Sequence, residues 1–178
     1  ARAPPVDSAR AVARGRVSRA FVGPADAPID LEPPALAAEI DALNATVYER
    51  LNNGVYRAGF AVTQAAYDEA VTSVFDMLDE LEQRLSDGRR YLIGDRLTEA
   101  DVRLFVTLVR FDAAYHGLFK CNLRRLADYP GLSAYVARVM ELPGAAETVK
   151  IGHIKAGYYS IRALNPSGII PAGPAGAC

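Results

Sequence analysis

The sequence predicts an all-α domain, and three observations predict it. Apolar residues recur at three-to-four spacing through several long segments, Gly and Pro punctuate the gaps between them, and no alternating apolar and polar stretch is long enough for a sheet. With 178 residues, 51% of them hydrophobic, the chain can bury one core without staples. Its 20 basic and 21 acidic residues are well mixed, so no net field recruits nucleic acid or an anionic membrane surface. No run approaches the ~20 apolar residues that span a bilayer. The start, ARAPPVDSARAVARGRVSRAF, lacks the apolar block of a secretory signal, and a cytoplasmic protein is expected.

Residues 1–29 read as connector, rich in Ala, Arg and Pro, with room for a short helix over about Ser8 to Ala20. Residues 30–164 carry the helical pattern. From Ala35 to Asn52, Leu36, Ile40, Leu43, Val47, Tyr48 and Leu51 share one face, and Gly54 is read as the end of that helix. The next stretch, NNGVYRAGFA, places Tyr56 between Gly54 and Gly59, which read as flexible joints. A second helix, about Gln64 to Leu85, has a stripe of Val71, Val74, Leu78, Leu81 and Leu85, and Ser86-Asp87-Gly88 stops it.

Thr98-Glu99-Ala100-Asp101 is a short-armed capping box, with Leu97 and Val102 at the spacing of a hydrophobic staple. The helix that it starts, Glu99 to about Tyr115, is apolar nearly all round, save a polar strip of Arg103, Thr107 and Arg110, and should be the buried centre. Helices over about Leu132 to Glu141 and Ala145 to Tyr159 complete the bundle. Residues 165–178, NPSGIIPAGPAGAC, hold too many breakers for regular structure.

Candidate chemistry is sparse. Cys121 and Cys178 suggest no disulfide framework, no Cys/His spacing fits a metal, and His116 and His153 alone support no histidine triad. Both histidines are expected at the surface or as caps, and Cys121 as a buried structural thiol. Attention falls on nine tyrosines in a chain without tryptophan. Tyr48, Tyr67, Tyr91 and Tyr135 lie on or beside apolar stripes and read as core. Tyr56, Tyr115 and Tyr158 sit at breaks or helix ends, where a ring can point into a cleft.

NNGVYRAGFA, RYLIGDRLTEADVRLFVTLVRFDAAY, FKCN, DYPGL, HIKAGYY and NPSGIIPAGP, in this order, closely resemble the C-terminal helical domain of the glutathionyl-hydroquinone reductases, the Xi-class glutathione transferases. The resemblance runs from about residue 30 to about 174. It implies a glutathione-transferase C-terminal-type helical bundle that follows a thioredoxin-like domain, of which residues 1–29 are at most the end. It also implies a reaction in which glutathione reduces a glutathionyl-hydroquinone to the hydroquinone and oxidised glutathione, without a bound cofactor.

Carried over residue by residue, the resemblance makes Tyr56 the proton donor and acceptor, and makes Tyr115 and Tyr158 the groups that lower the pKa of a nucleophilic cysteine. Alignment chooses Tyr158 over Tyr159. The family's Cys-Pro-type motif is absent, so the chain alone is expected to be inactive. Asp7-Ser8 resembles the acidic-Ser pair that binds the γ-glutamyl group of glutathione, with a plain helix cap as the alternative. Glutathione and quinone-derived small molecules are the implied partners, and a homodimer the implied assembly of the complete protein. Two other readings stay open: a non-catalytic interaction module of the same fold, and an ordinary transferase that adds glutathione to electrophiles.

Overall fold

The computed structural model describes residues 30–174, and these are helical apart from turns and one isolated bridge between Ile93 and Arg96. Asp7, Ser8, Cys178 and the anticipated helix over Ser8 to Ala20 lie outside the described residues. Seven α-helices are described: α1 Ala37–Val47, α2 Gly54–Gly59, α3 Gln64–Leu85, α4 Glu99–Arg110, α5 Pro130–Met140, α6 Ala145–Thr148 and α7 Ile151–Tyr159. No described helix is long and apolar enough to cross a membrane.

Several helices start where the sequence provides for their free N–H groups. The Thr63 hydroxyl accepts from Ala66 N–H at 3.2 Å and opens α3. Pro130 occupies the first turn of α5, where its missing N–H costs nothing. The Glu82 carboxylate, on α3, accepts from Gly131 and Leu132 N–H, each at 2.7 Å, and so pins α5 to α3. In α4 the Glu99 N–H donates to Leu31 O at 2.8 Å, tying the incoming chain to the central helix.

The capping box at Thr98 and Asp101 forms and does more than cap. Asp101, fully buried, accepts from Thr98 N–H at 2.8 Å, Thr98 Oγ1 at 2.9 Å, Leu92 N–H at 2.9 Å and Tyr135 O–H at 3.0 Å. One carboxylate therefore joins α4, the preceding loop and α5. It sits at the third residue of the helix, where free N–H groups favour a negative charge.

Four sequence expectations need correction. The first helix does not end at Gly54: Asn53 N–H donates to Tyr48 O at 2.8 Å, a π turn spans Tyr48–Asn52, and α2 continues directly. Tyr48 is 56% exposed, because the buried stripe runs Ile40, Asn44, Val47, Leu51, and Tyr48 stands one residue, roughly 100°, away from Val47. The helix from Glu99 is not buried all round: Val102 and Val106 are exposed, while Thr107 of the supposed polar strip is buried. The last helix is two, since Val149 adopts extended backbone and Lys150 also leaves the helical region between α6 and α7.

Gly54 and Gly59 are not flexible joints either. Both have ordinary helical backbone and are required by close approach: a Cβ would lie 2.9 Å from Val74 Cγ2 at Gly54 and 2.5 Å from Phe119 Cγ at Gly59. The two glycines seat α2 against α3 and against the Phe119 ring.

Candidate functional site

Two π turns bracket the polar cluster at the far end of α4. The first, Tyr48–Asn52, leads into α2 and Tyr56; the second, Phe111–Tyr115, comes after α4, ends in Tyr115 and is closed by His116 N–H donating to Phe111 O at 2.8 Å. A π turn holds an extra residue, so it rotates the rest of the helix about its axis, and such turns concentrate at functional sites. Asn52 locks the first turn to α4, donating to Thr107 Oγ1 at 2.5 Å and Arg103 O at 3.1 Å.

Tyr56, Tyr115 and Tyr158 come from α2, the second π turn and α7, and their hydroxyls meet. Tyr158 bonds Tyr56 at 2.8 Å and Tyr115 at 2.7 Å, so it is the middle of a three-phenol chain. Tyr115 is 3% exposed, Tyr158 half-buried and Tyr56 37% exposed, a gradient that runs from core to cleft. Tyr159 is buried instead and takes no part in the chain of hydroxyls, so the alignment chose the residue that reaches the cluster. The rings pack around Phe119, fully buried, with centroids 5.1 Å from Tyr56, 5.3 Å from Tyr115 and 5.7 Å from Tyr158.

Burial raises the proton affinity of the inner phenols. Tyr115 is held above the ordinary tyrosine range, first by burial and then by its bond to Tyr158. Tyr158 is pushed up to about 12, again chiefly by burial. Both are therefore neutral O–H groups near pH 7. Three phenols share two mutual bonds, which leaves one O–H free to donate outward. With Tyr115 donating to Tyr158 and Tyr158 to Tyr56, the buried hydroxyl is satisfied and the outward proton belongs to Tyr56.

Two clefts open beside this cluster. A cleft of ≈ 520 Å³ runs between α4 and α7, lined by Phe105, Val109, His153, Ile154 and Ile161 together with Tyr56 and Tyr158. A second, ≈ 500 Å³, lies on the Tyr48, Asn52 and Arg103 side, and Tyr56, Val106, Arg110 and Tyr158 line both. Sequence reading missed Arg110 and Val106 as cleft residues and Phe119 as the hub. The Val106-to-Arg110 spacing places both on one helical face, but an exposed cleft wall and a buried stripe look alike in sequence.

The remaining sequence candidates fall elsewhere. Cys121 is fully buried, its thiol pushed up to about 12 by burial and directed at Phe119 O at 3.8 Å, so it is a poor nucleophile. His153 is exposed on the cleft wall, whereas His116 comes directly after the second π turn. Tyr67 is half-buried and donates to Lys120 O at 2.7 Å; Tyr91 and Tyr135 are core. Among the described residues no cluster of His, Cys, Asp and Glu could hold a metal.

Residues 64–138 match the glutathione S-transferase C-terminal domain family. Over 149 residues the chain is 59% identical to the glutathionyl-hydroquinone reductase PcpF of Sphingobium chlorophenolicum, an alignment that takes in 83% of this chain and 47% of that protein. The glutathione-bound structure of YqjG, a glutathione transferase homolog from Escherichia coli K-12, superposes with a TM-score of 0.81 at 49% identity, covering 88% of this chain and 50% of that one. The Xi glutathione transferase of Phanerochaete chrysosporium gives a TM-score of 0.80 at 48% identity, covering 83% and 48%. The chain spans about half the length of the curated relatives it matches.

Proposed function

The chain belongs to the Xi-class glutathione transferases, of which it carries the C-terminal helical domain, and on that premise we propose that it forms the second-substrate pocket of a glutathionyl-hydroquinone reductase. The single observation that carries this reading is the convergence of three phenols from distant segments on the wall of two clefts. A domain used only for assembly has no need of such a chain.

In the proposed reaction a cysteine thiolate attacks the sulfur of the glutathionyl-hydroquinone. A new S–S bond forms, the aromatic C–S bond breaks, and its electron pair stays on the ring carbon, which takes a proton. A second glutathione thiolate then attacks the mixed disulfide, releasing oxidised glutathione and returning the enzyme thiolate. Tyr56 suits the proton delivery because it holds the outward O–H and is the most exposed of the three. Tyr115 and Tyr158 suit the thiolate through the chain of hydroxyls, since each passes its O–H toward Tyr56 and so strengthens the one outward donor that can favour a charged sulfur.

The nucleophile itself belongs to a thioredoxin-like domain, because Cys121 is buried and holds its proton tightly. Asp7-Ser8 is assigned to the γ-glutamyl group of glutathione at the junction with that domain. The reading also carries a cytoplasmic homodimer.

The test has two arms. This chain alone, incubated with glutathione and a glutathionyl-hydroquinone, should give no hydroquinone above the uncatalysed rate; turnover there would show that the nucleophile lies within it. Joined to a thioredoxin-like domain with a Cys-Pro motif, it should turn over, and Tyr56→Phe should lower kcat by roughly 10²-fold, as loss of a positioned acid does. Unchanged kcat in that variant removes Tyr56 from the proton step.

A further inference from the structure

The larger cleft has an unusual charge pattern. Every acid–base side chain on its wall other than the two phenols carries nitrogen: Arg110, Lys150 and His153, with no Asp or Glu among its lining residues. Arg110 is the best placed of them. It is half-buried, it lines both clefts, and Val106 and Tyr158 line both beside it.

Its guanidinium is also uncommitted. Nη1 donates to Val106 O, one turn back on its own helix, and among the described residues no carboxylate pairs with Arg110. The contrast with Arg103 is informative: two turns earlier on α4, its Nη2 lies 2.7 Å from Glu99 Oε1, and its charge is spent within the protein. A half-buried guanidinium with free N–H donors, beside an apolar wall and with no anion of its own, is a receptor for a planar oxyanion.

We propose that Arg110 anchors an anionic oxygen of the aromatic second substrate, so that the cleft selects ring compounds bearing a carboxylate, sulfonate or ionised hydroxyl over neutral rings of the same size. This rests on reading the cleft as the second-substrate pocket. The apolar side chains Phe105, Val106, Val109 and Ile154 hold the ring, and the guanidinium fixes which edge of it faces the phenols. Lys150 and His153, both exposed, add an attractive rim but are too solvated to anchor.

The experiment measures equilibrium binding of a matched pair of probes to the 178-residue chain by calorimetry: 2-naphthoate and its neutral counterpart, 2-naphthalenemethanol. The expected result is a preference for naphthoate of about 10-fold, the size of one hydrogen bond to a charged group. Arg110→Gln should bring the two probes to within about 2-fold while leaving the neutral probe's affinity unchanged, and Lys150→Gln should leave most of the preference in place. Equal affinities in the unaltered chain, no binding of either probe, a preference that survives Arg110→Gln, or one abolished by Lys150→Gln would each overturn the proposal. Failure of the reductase reading is seen separately, as absent turnover in the domain-joined protein, and leaves these affinities as measured.

Discussion

The two ends of the segment from Glu99 to Tyr115 hold polar clusters built on opposite terms. At the start, Asp101 is sealed from solvent and takes hydrogen bonds from Thr98, Leu92 and Tyr135, so every partner is protein and every bond is short. At the finish, three phenols bond one another, one of them is 37% exposed, and one proton is left over. The first cluster has nothing to offer a ligand and fixes the fold; the second is held by the fold and keeps a donor in reserve. Buried polarity that is fully satisfied gives rigidity, whereas a chain one partner short can do chemistry.

The largest effect should come from the sealed end. Asp101→Ala strands the Leu92 and Thr98 N–H groups and the Thr98 hydroxyl in the interior, and leaves the Tyr135 hydroxyl only the residue-101 carbonyl, at 3.2 Å. A loss of about 3–5 kcal/mol is expected by urea unfolding, enough to leave a domain of this size marginal. A loss below about 1 kcal/mol would mean that water reaches those donors and that the two ends do not differ as described.

Gly59→Ala tests the other end through packing. Its Cβ would stand 2.5 Å from Phe119 Cγ, on the ring about which the three tyrosines gather. Overpacking of about 1–3 kcal/mol is expected, with the near-ultraviolet dichroism of the tyrosines altered. Retention of full stability would show that α2 can move away from Phe119 at little cost.

Tyr158→Phe should cost less, about 1–2 kcal/mol, because it leaves the buried Tyr115 hydroxyl without its partner. Tyr115→Phe removes the buried hydroxyl itself and strands only the half-buried Tyr158, which water can satisfy, so it should stay within about 0.5 kcal/mol of the unaltered chain. The order of the two variants is the informative quantity. A reversed order would place the burden of the chain on Tyr115.

Much of this contrast was legible in the sequence, and the part that was not has physical reasons. Thr98-Glu99-Ala100-Asp101 is a local signature, since capping acts over three residues, and it led to the correct start of α4. Its reach to Leu92 and Tyr135 was invisible, because those bonds depend on how the loop and α5 return to the site. The long helix Gln64–Leu85 was recovered because its stripe is regular. The two π turns were not, because one extra residue per turn leaves no mark in composition; Tyr48 was assigned to a core from which it is turned away because three-to-four spacing admits both Val47 and its neighbour. Tyr56, Tyr115 and Tyr158 were singled out by position and resemblance, but that their hydroxyls form a chain with Tyr158 at its centre is a property of three separate segments meeting. Gly54 and Gly59 were misread because a glycine needed for close approach and one needed for flexibility are the same letter.

The smallest effect, and the one that bears most directly on the open end, is the titration of the phenols. Tyr158 has its pKa raised from 10.0 to about 12, and Tyr115 is raised as well. A group whose folded pKa lies above its unfolded value stabilises the fold fully below the unfolded value, and that contribution is lost as pH rises through the folded one. Stability from Tyr158 should therefore be constant from neutral pH to about 10 and fall between about 10 and 12, and that from Tyr115 should change in the same direction. Phenolate absorbance should show the matching lag, with Tyr115 and Tyr158 ionising above the ordinary tyrosine range. In Tyr158→Phe the lag should shorten, because one of the late phenols is gone and the bond that helps to hold Tyr115 protonated goes with it. A titration in which Tyr115 and Tyr158 ionise near 10 would mean that solvent reaches their hydroxyls, and the distinction between a sealed end and an open one would then lie only in Asp101.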